Sequence, residues 1–522
     1  MEQGVAVAEG AILRPTQHSP QSLHTLADSL ELERFGDDVD ISGVALNTSA
    51  VLPGDIFVAL QGAHRHGIEF WPQAKAAGAS AVMTDPAGRD TLAGEDVSLL
   101  VATEPRRLLG ALASKVYGTS RGGGSAVFSV TGTNGKTSTV FLLEAMMRAL
   151  GLGTALSTTA VRKVLDVSYP STLTTPEAPD IHAMLALASE GGVWGVALEV
   201  SAQALNKKRL EGVFSTVSGF TNLSHDHFED FGNMDHYLAA KAALFTPEMT
   251  GSAVVCVDTP WGEKLAAALE VPLLTVAKAG HESALWHYEL TKAEGNRSWW
   301  NLTGPDGEAL SMSAPILGEH MVANAALASV MLVSSGVSVS DLGAAMGPGT
   351  AGIPVYIPGR VENISSPGAP GVFLDAGRSA DAYEQTLSTV RDQTKGRVVI
   401  VCGTSGNRDA SKRPVMGQVA ATLADVVIVT DDDPRLEDPH QIRAGLLEGA
   451  RSIEGATVHE IADPTEAIRF ALSLVGEDDS VLWCGPGSQA YRDIAGVKVP
   501  YSARQQALEA LHLSGWPIDK QT

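Results

Sequence analysis

The chain has 522 residues, 44% hydrophobic and 19% charged, with 37 basic against 60 acidic side chains and a net charge of −23. That length suits roughly three domains of about 150 residues each. The acidic balance argues against a nucleic-acid partner, which needs a basic face, but not against an anionic small substrate held by a local loop.

The chain carries three cysteines, Cys256, Cys402 and Cys484. They lie in apolar, strand-like runs without a C-x-x-C pair, so buried thiols of a reducing compartment are expected. No basic region followed by an apolar core opens the chain. No apolar run approaches the ~18 residues of a membrane span. A cytoplasmic location without membrane contact is expected.

Residues 1–20 read as loosely ordered. Residues 55–60, 79–84 and 98–102 read as short strands, with helical stretches such as 69–77 between them. This predicts a small α/β domain over 1–122, ending at a flexible boundary, Arg121-Gly122-Gly123-Gly124-Ser125. A central domain is expected over 123–357, with strands and helices alternating and a mostly parallel sheet. It closes at a Pro/Gly-rich stretch, 347–359. Residues 358–522 repeat the alternation, with strands near 371–374, 397–402, 426–430 and 481–484 and a helix near 465–474. A Rossmann-like, doubly wound domain follows.

The most informative stretch is Thr131-Gly132-Thr133-Asn134-Gly135-Lys136-Thr137-Ser138, between an apolar run and a helical pattern. A strand, a glycine loop and a helix start form a phosphate cradle: backbone amides approach phosphate oxygens and the helix N-terminus adds positive potential. Lys136 can reach terminal phosphates and Thr137 can offer a hydroxyl to Mg²⁺. A full Walker A loop would carry glycine at position 130, where this chain has Val. A P-loop-type ATPase domain is therefore expected for the central segment.

Two further strand ends, Glu199-Val200-Ser201 and His225-Asp226-His227, place polar residues where open α/β sheets hold ligands. With these motifs and the glycine loop, the sequence resembles the Mur ligases over nearly its whole length. The resemblance points to the member that adds the third residue of the peptidoglycan stem. Pro53-Gly54-Asp55-Ile56-Phe57-Val58-Ala59-Leu60-Gln61-Gly62 resembles that family's UDP-binding domain, Thr174-Thr175-Pro176-Glu177 its acceptor loop, and Lys412-Arg413-Pro414 with Asp432-Asp433-Pro434-Arg435 its amino-acid-binding domain.

The resemblance implies ATP-dependent amide formation, with ATP and Mg²⁺ as cofactors. UDP-MurNAc-L-Ala-D-Glu and a free amino acid would be the substrates, and a monomer is expected. It implies that Gly132 to Ser138 hold the phosphates and that His320, Asn324, Arg360 and Asp375 contact the nucleotide. Thr48, Thr174, Thr175, Ser201 and Arg209 would hold the acceptor. Arg408, Asp432, Asp433, Arg435, Gly485 and Gln489 would hold the amino acid. Lys136, Glu199, His227 and Lys241 would be catalytic. The implied metal ligands are Thr137, Glu199, His227 and a carbamylated Lys241.

Read without the family, Glu199 fits a helix cap and His227 a satisfied loop histidine. Lys241, in an apolar helix, fits a snorkelling surface lysine. The acidic pair Asp432-Asp433 could receive a second ammonium group, which favours a diamino acid.

Three motifs depart from the family. The stretch Asp375-Ala376-Gly377-Arg378-Ser379-Ala380-Asp381 lacks the usual Tyr and His. Thr404-Ser405-Gly406-Asn407-Arg408-Asp409 replaces Gly-Gly-Asp-Arg-Asp, and Gly485-Pro486-Gly487-Ser488-Gln489 replaces Gly-Lys-Gly-His-Glu. Gln489 is neutral where a carboxylate is usual, while Arg435 keeps the diaminopimelate pattern. Lysine, ornithine and meso-diaminopimelate all fit the sequence. Two other readings stand beside the ligase: a non-catalytic nucleotide- and precursor-binding homologue, and a folylpolyglutamate synthetase-like ligase.

Overall fold

The computed structural model describes residues 6–7, 12–62, 65–169, 171, 173–305 and 307–518. The first sheet has five strands, in the order Glu33–Phe35, Leu99–Val101, Ala81–Thr84, Asp55–Val58, Gly43–Ala45. Four of these strands are fully buried and mutually parallel. Pro105–Tyr117 is a helix with Pro at its start and left-handed Gly118 at its end. Its Leu109, Leu112 and Val116 join one apolar cluster with Ile181, Met184 and Leu185 of the middle segment.

The middle sheet has twelve strands. At its centre Ala126–Thr131 lies between Gly195–Glu199 and Ser215–Phe220, all parallel. Glu199 pairs with Val130, and Phe220 with Thr131, so three strands end at one level. Chain order reverses about the central strand, which makes this edge the ligand-binding crevice of an open α/β sheet. Helices Lys136–Ala149 and Glu319–Ser334 share one buried cluster with Phe128 and Val130.

Sequence reading did not anticipate the sheet's antiparallel extension, Trp286–Glu294, Arg297–Thr303 and Ala309–Ala314. Its alternating pattern buries Ser298, Trp300 and Leu302 on one face.

The third sheet has six strands, ordered Glu362–Asn363, Gly371–Asp375, Ser480–Cys484, Val398–Cys402, Val426–Val429, Thr457–Glu460. All pairings but the first are parallel. Its apolar clusters take a single residue, Leu317, from the middle segment.

Three local expectations need correction. Residues 1–5 and 8–11 lie outside the described residues. The described part of the opening stretch is not loose: Leu13 is buried, and Arg14 Nη2 donates to the Val44 carbonyl at 3.1 Å and to Asp55 at 3.4 Å. The glycine run expected as a flexible boundary forms a 3₁₀ turn, Ser120–Gly124. The helical stretch near 69–77 is a 3₁₀ turn, Gly67–Phe70, running into a helix, Trp71–Ala76. All three cysteines are buried and free. Among the described residues no helix is long and apolar enough to cross a membrane.

Candidate functional site

The glycine loop is held open by its backbone. Gly132 has φ 148° and Gly135 φ 86°. A Cβ on Gly132 would stand 1.9 Å from Thr221 Oγ1, and one on Gly135 would stand 2.3 Å from Asn324 Oδ1. The neighbouring strand's continuation fixes the loop: Thr133 N donates to the Asn222 carbonyl, and Asn134 N to Asn222 Oδ1, each at 2.9 Å. Thr221 Oγ1 donates to the Asn134 carbonyl at 2.6 Å. Lys136 folds back and donates to the Gly132 and Thr133 carbonyls at 3.1 and 2.8 Å. Gly132→Ala should distort the cradle at a cost of about 2 kcal/mol, or roughly 30-fold in nucleotide affinity. Calorimetric titration with ADP measures this; unchanged affinity would refute the loop's role.

Beside the loop, Glu199 is buried at the end of its strand. Its Oε2 accepts from Thr137 Oγ1 at 3.0 Å, from Thr159 N at 2.9 Å and from Thr159 Oγ1 at 3.2 Å. Glu199 is not the helix cap: Ser201 caps Ala202–Asn206. A hydroxyl and a carboxylate oxygen 3.0 Å apart form a donor set that suits a hard cation such as Mg²⁺. Arg360 Nη2 reaches in from the third sheet's side and donates to Thr137 Oγ1 at 3.1 Å.

Lys241 is not a snorkelling surface residue. It is 1% exposed, its Nζ donates to the Gly132 carbonyl at 2.7 Å, and it lies 4.4 Å from the Tyr237 ring centroid. Burial pushes its ammonium well below the ordinary lysine value, and the neighbouring Lys136 charge lowers it further. Burial also lowers Lys136, against the pull of Glu199 and Asp226.

His227 stands in the left-handed region, φ 57°. The structure groups it with Glu229 and Asp230, whose ligand atoms lie within 4.8 Å of one another, and not with Glu199. Burial lowers its imidazole against the nearby Asp226 and Glu229 carboxylates.

These groups line one cavity of about 1470 Å³, shared with the third sheet's loops. Ser138, Thr174, Ser201, Arg209, His320, Asn324, Arg360, Asp375, Arg408, Arg435 and Gln489 also line it. Thr175 is buried behind the lining and donates from Oγ1 to the Glu199 carbonyl at 2.9 Å. Arg209 Nε is bonded to Glu177 at 3.0 Å. Both Asp375 oxygens accept backbone amides, from Val361 at 3.0 Å and Gly377 at 2.7 Å. Burial lowers the His320 imidazole to about 4, so it is neutral at pH 7.

Thr48, Gly132, Asp432, Asp433 and Gly485, like Thr175, are not among the residues lining the cavity. Thr48 opens a short 3₁₀ turn, Thr48–Ala50, and Gly485 donates its amide to the Asp375 carbonyl at 2.9 Å.

The acidic pair differs most from expectation. Asp432 and Asp433 are buried and already hold a cation, Arg378, with contacts of 2.6 and 3.2 Å. They are not open to a substrate ammonium. Burial works against the Arg378 charge, but the two carboxylates outweigh it and raise its pKa.

Polar bridges tie the third segment to the phosphate loop. Lys412 Nζ meets Asp226 at 2.8 Å, Asn134 Nδ2 meets Asp381 at 2.7 Å, and His225 Nε2 meets Asp409 at 3.0 Å. Burial would raise the Asp226 carboxyl; the Lys412 ammonium outweighs it and lowers it. Lys412→Met leaves that carboxylate without a partner. A loss of about 3 kcal/mol is expected above the ordinary Asp pKa, vanishing at lower pH as the carboxyl protonates. Urea midpoints at pH 7 and pH 3 check this. Sequence reading missed Thr159, Asn222, Asp226, Lys412 and Arg378 as site residues. Asp226, Lys412 and Arg378 lay inside stretches already quoted; Thr159 and Asn222 carried no local signal.

Comparison with known proteins agrees with this geometry. Family models match along the chain: "Mur ligase family, catalytic domain" at 40–117, "Mur ligase middle domain" at 130–332, and "Mur ligase, glutamate ligase domain" at 359–487. A UDP-N-acetylmuramyl-tripeptide synthetase from Leifsonia xyli is 44% identical over 97% of this chain and 98% of its own length. A UDP-N-acetylmuramoyl-L-alanyl-D-glutamate–2,6-diaminopimelate ligase from Streptomyces coelicolor is 36% identical over 95% and 98%. A solved structure of a ligase of the latter name has a TM-score of 0.62 at 26% identity, covering 95% of this chain and 100% of its own. A folylpolyglutamate synthase from Mycobacterium tuberculosis, at 18% identity and a TM-score of 0.58 over 78% of this chain and 95% of its own, shares the fold alone. With the phosphate loop, the Thr137–Glu199 pair and matches of this extent, the chain belongs to the Mur ligase family.

Proposed function

We propose that this chain is an ATP-dependent ligase joining a diamino acid to the D-glutamyl carboxyl of UDP-MurNAc-L-Ala-D-Glu, in peptidoglycan precursor synthesis. One observation carries the reading: the loop of Lys136, the Thr137–Glu199 pair and buried Lys241 face one cavity together with Arg360 and Arg408. Such a site can bring the γ-phosphate of ATP, a carboxylate and an amine into contact. The acceptor carboxylate attacks the γ-phosphorus, forming an acyl phosphate and releasing ADP. The amine then attacks the acyl carbon and expels phosphate. Positioning and charge neutralisation dominate such transfers.

Each residue has a role in that scheme. Lys136 and the loop amides hold the phosphates, and Arg360 approaches from the third sheet. Neutral His320 and Asn324 lie beside the loop where the nucleotide base would extend. Thr174, Ser201 and Arg209 face the acceptor. Thr137, Glu199 and a carbamylated Lys241 would hold Mg²⁺, which when bound offsets charge on the transferring phosphoryl group; His227, grouped with Glu229 and Asp230, stands apart from Glu199. A lysine with a depressed pKa is neutral often enough to attack CO₂, forming an N–C bond and releasing a proton. The carbamate so formed turns a cation into an oxygen ligand.

The test is phosphate release by purified protein with ATP, the acceptor and a panel of amino acids, with the product weighed by mass spectrometry. Release that depends on both acceptor and amino acid is expected. No amino-acid-dependent release with any of them refutes the reading and leaves a nucleotide-binding homologue.

A further inference from the structure

Asp432 and Asp433 do not line the cavity themselves; they bond Arg378, which lines it beside Gln489 at the end that the ligase reading gives to the amino acid, and all their side-chain oxygens are met from within the chain. Arg378 donates from Nε to Asp432 Oδ2 at 2.6 Å, and from Nη2 to Asp432 Oδ1 at 3.3 Å and Asp433 Oδ2 at 3.2 Å. The Asp493 amide donates to Asp433 Oδ1 at 3.1 Å. Arg378 Nη2 also takes the Gln489 carbonyl oxygen, at 2.6 Å. With that oxygen occupied, Gln489 can offer the cavity only its amide N–H groups. Arg408 and Arg435 line the same region. The three guanidiniums are close enough that Arg408 and Arg378, after burial, lower the Arg435 pKa.

An ammonium group has three donors and no acceptor. Beside these guanidiniums it would meet repulsion: Asp432 and Asp433 are paired with Arg378, Glu229 with Arg408, and Asp493, whose charge acts on Arg435, does not line the cavity. A carboxylate would find planar forks of N–H donors matched to its two oxygens. We propose that Arg378 is a specificity-determining residue, a built-in cation that fills the acidic pair and leaves the amino-acid end of the cavity with hydrogen-bond donors, so that the site selects an amino acid whose side chain ends in a carboxylate over one whose side chain ends in an ammonium alone. The proposal rests on the ligase reading above. It explains why an acidic pair and an uncharged Gln489 coexist: both serve Arg378, not the substrate.

Lysine and meso-diaminopimelate differ by one carboxylate on the terminal carbon, and 2-aminopimelate keeps that carboxylate without the second amine. The wild-type chain, with ATP and acceptor, should use meso-diaminopimelate and 2-aminopimelate over lysine and ornithine by roughly 30-fold or more in kcat/KM, mainly through KM. Arg378→Met bares the acidic pair. The ratio of meso-diaminopimelate to lysine should then fall by at least about tenfold, again through KM. Arg378→Lys keeps the charge but loses the fork and should fall between. A wild-type chain that prefers lysine or ornithine overturns the proposal, whether or not the variants fold. So does a folded Arg378→Met with the original ratio. A wild-type chain that binds ATP but releases no phosphate with any amino acid fails the ligase reading itself, and this proposal with it.

Discussion

Replacing Lys136 with alanine is expected to lower kcat for amino-acid-dependent phosphate release by roughly 10³-fold. The lysine is the one ammonium inside the glycine loop, bonded to the loop's own Gly132 and Thr133 carbonyls. Those bonds hold it folded back until phosphate oxygens offer stronger, charge-assisted partners. Its burial already depresses its pKa, so desolvation makes its attraction to phosphate larger than a surface lysine's. The loop's shape rests on its bonds to Asn222 and Thr221 and on the backbone angles of two glycines, while the substitution removes only the ammonium's bonds to the Gly132 and Thr133 carbonyls, the first of which Lys241 still meets. Thermal stability should therefore stay near wild type while turnover collapses. Coupled ADP-release kinetics and a melting curve on the same preparation check both halves. A variant with retained turnover would place the phosphates elsewhere.

Lys241→Met is expected to act in two opposite directions. Activity should fall by roughly 10²–10³-fold, because the oxygen ligand that the carbamate would supply is gone. Stability near neutral pH should rise, on the order of 1 kcal/mol or a few degrees in Tm, because a fully buried ammonium is replaced by an apolar chain of similar length. The pH dependence fixes the sign. The folded pKa of Lys241 lies well below its ordinary value of 10.5. Between those two values the unfolded chain binds more protons, so stability rises with pH across that window. Below the folded pKa the full cost of the buried charge is present. The methionine variant should lose this slope. Melting curves across pH, with and without bicarbonate, read it directly. A variant that is both active and no more stable would contradict the assignment.

The phosphate loop was legible because its signal is local: seven contiguous residues carry both the turn and the helix start. Glu199 and the three cysteines were legible for a similar reason, lying at the ends of near-continuous apolar strands. Lys241 was not legible from pattern. Its burial is made by the Tyr237 ring and by the Gly132 carbonyl, 109 residues away. Arg378 read as a lost family motif, yet its partner Asp432 is 54 residues on. The antiparallel extension was missed although the alternation that buries Ser298, Trp300 and Leu302 stands in the sequence. The anchoring of residues 12–15 comes from Arg14, whose contacts with Val44 and Asp55 no local pattern announces.

The apolar clusters have a mechanical consequence. The first sheet's helix shares its oily contacts with the middle segment, and Thr16 and Gln17 pin the chain again through their amides to Glu190, at 2.8 and 2.6 Å. The third sheet contributes almost no such contact and is tied by ion pairs and amide bonds across the cavity. Bonds of that kind exchange readily with water and weaken as dissolved ions screen them. The molecule thus consists of a rigid two-part anvil and one detachable jaw. Ionic strength, not heat, is the agent that would loosen the jaw first.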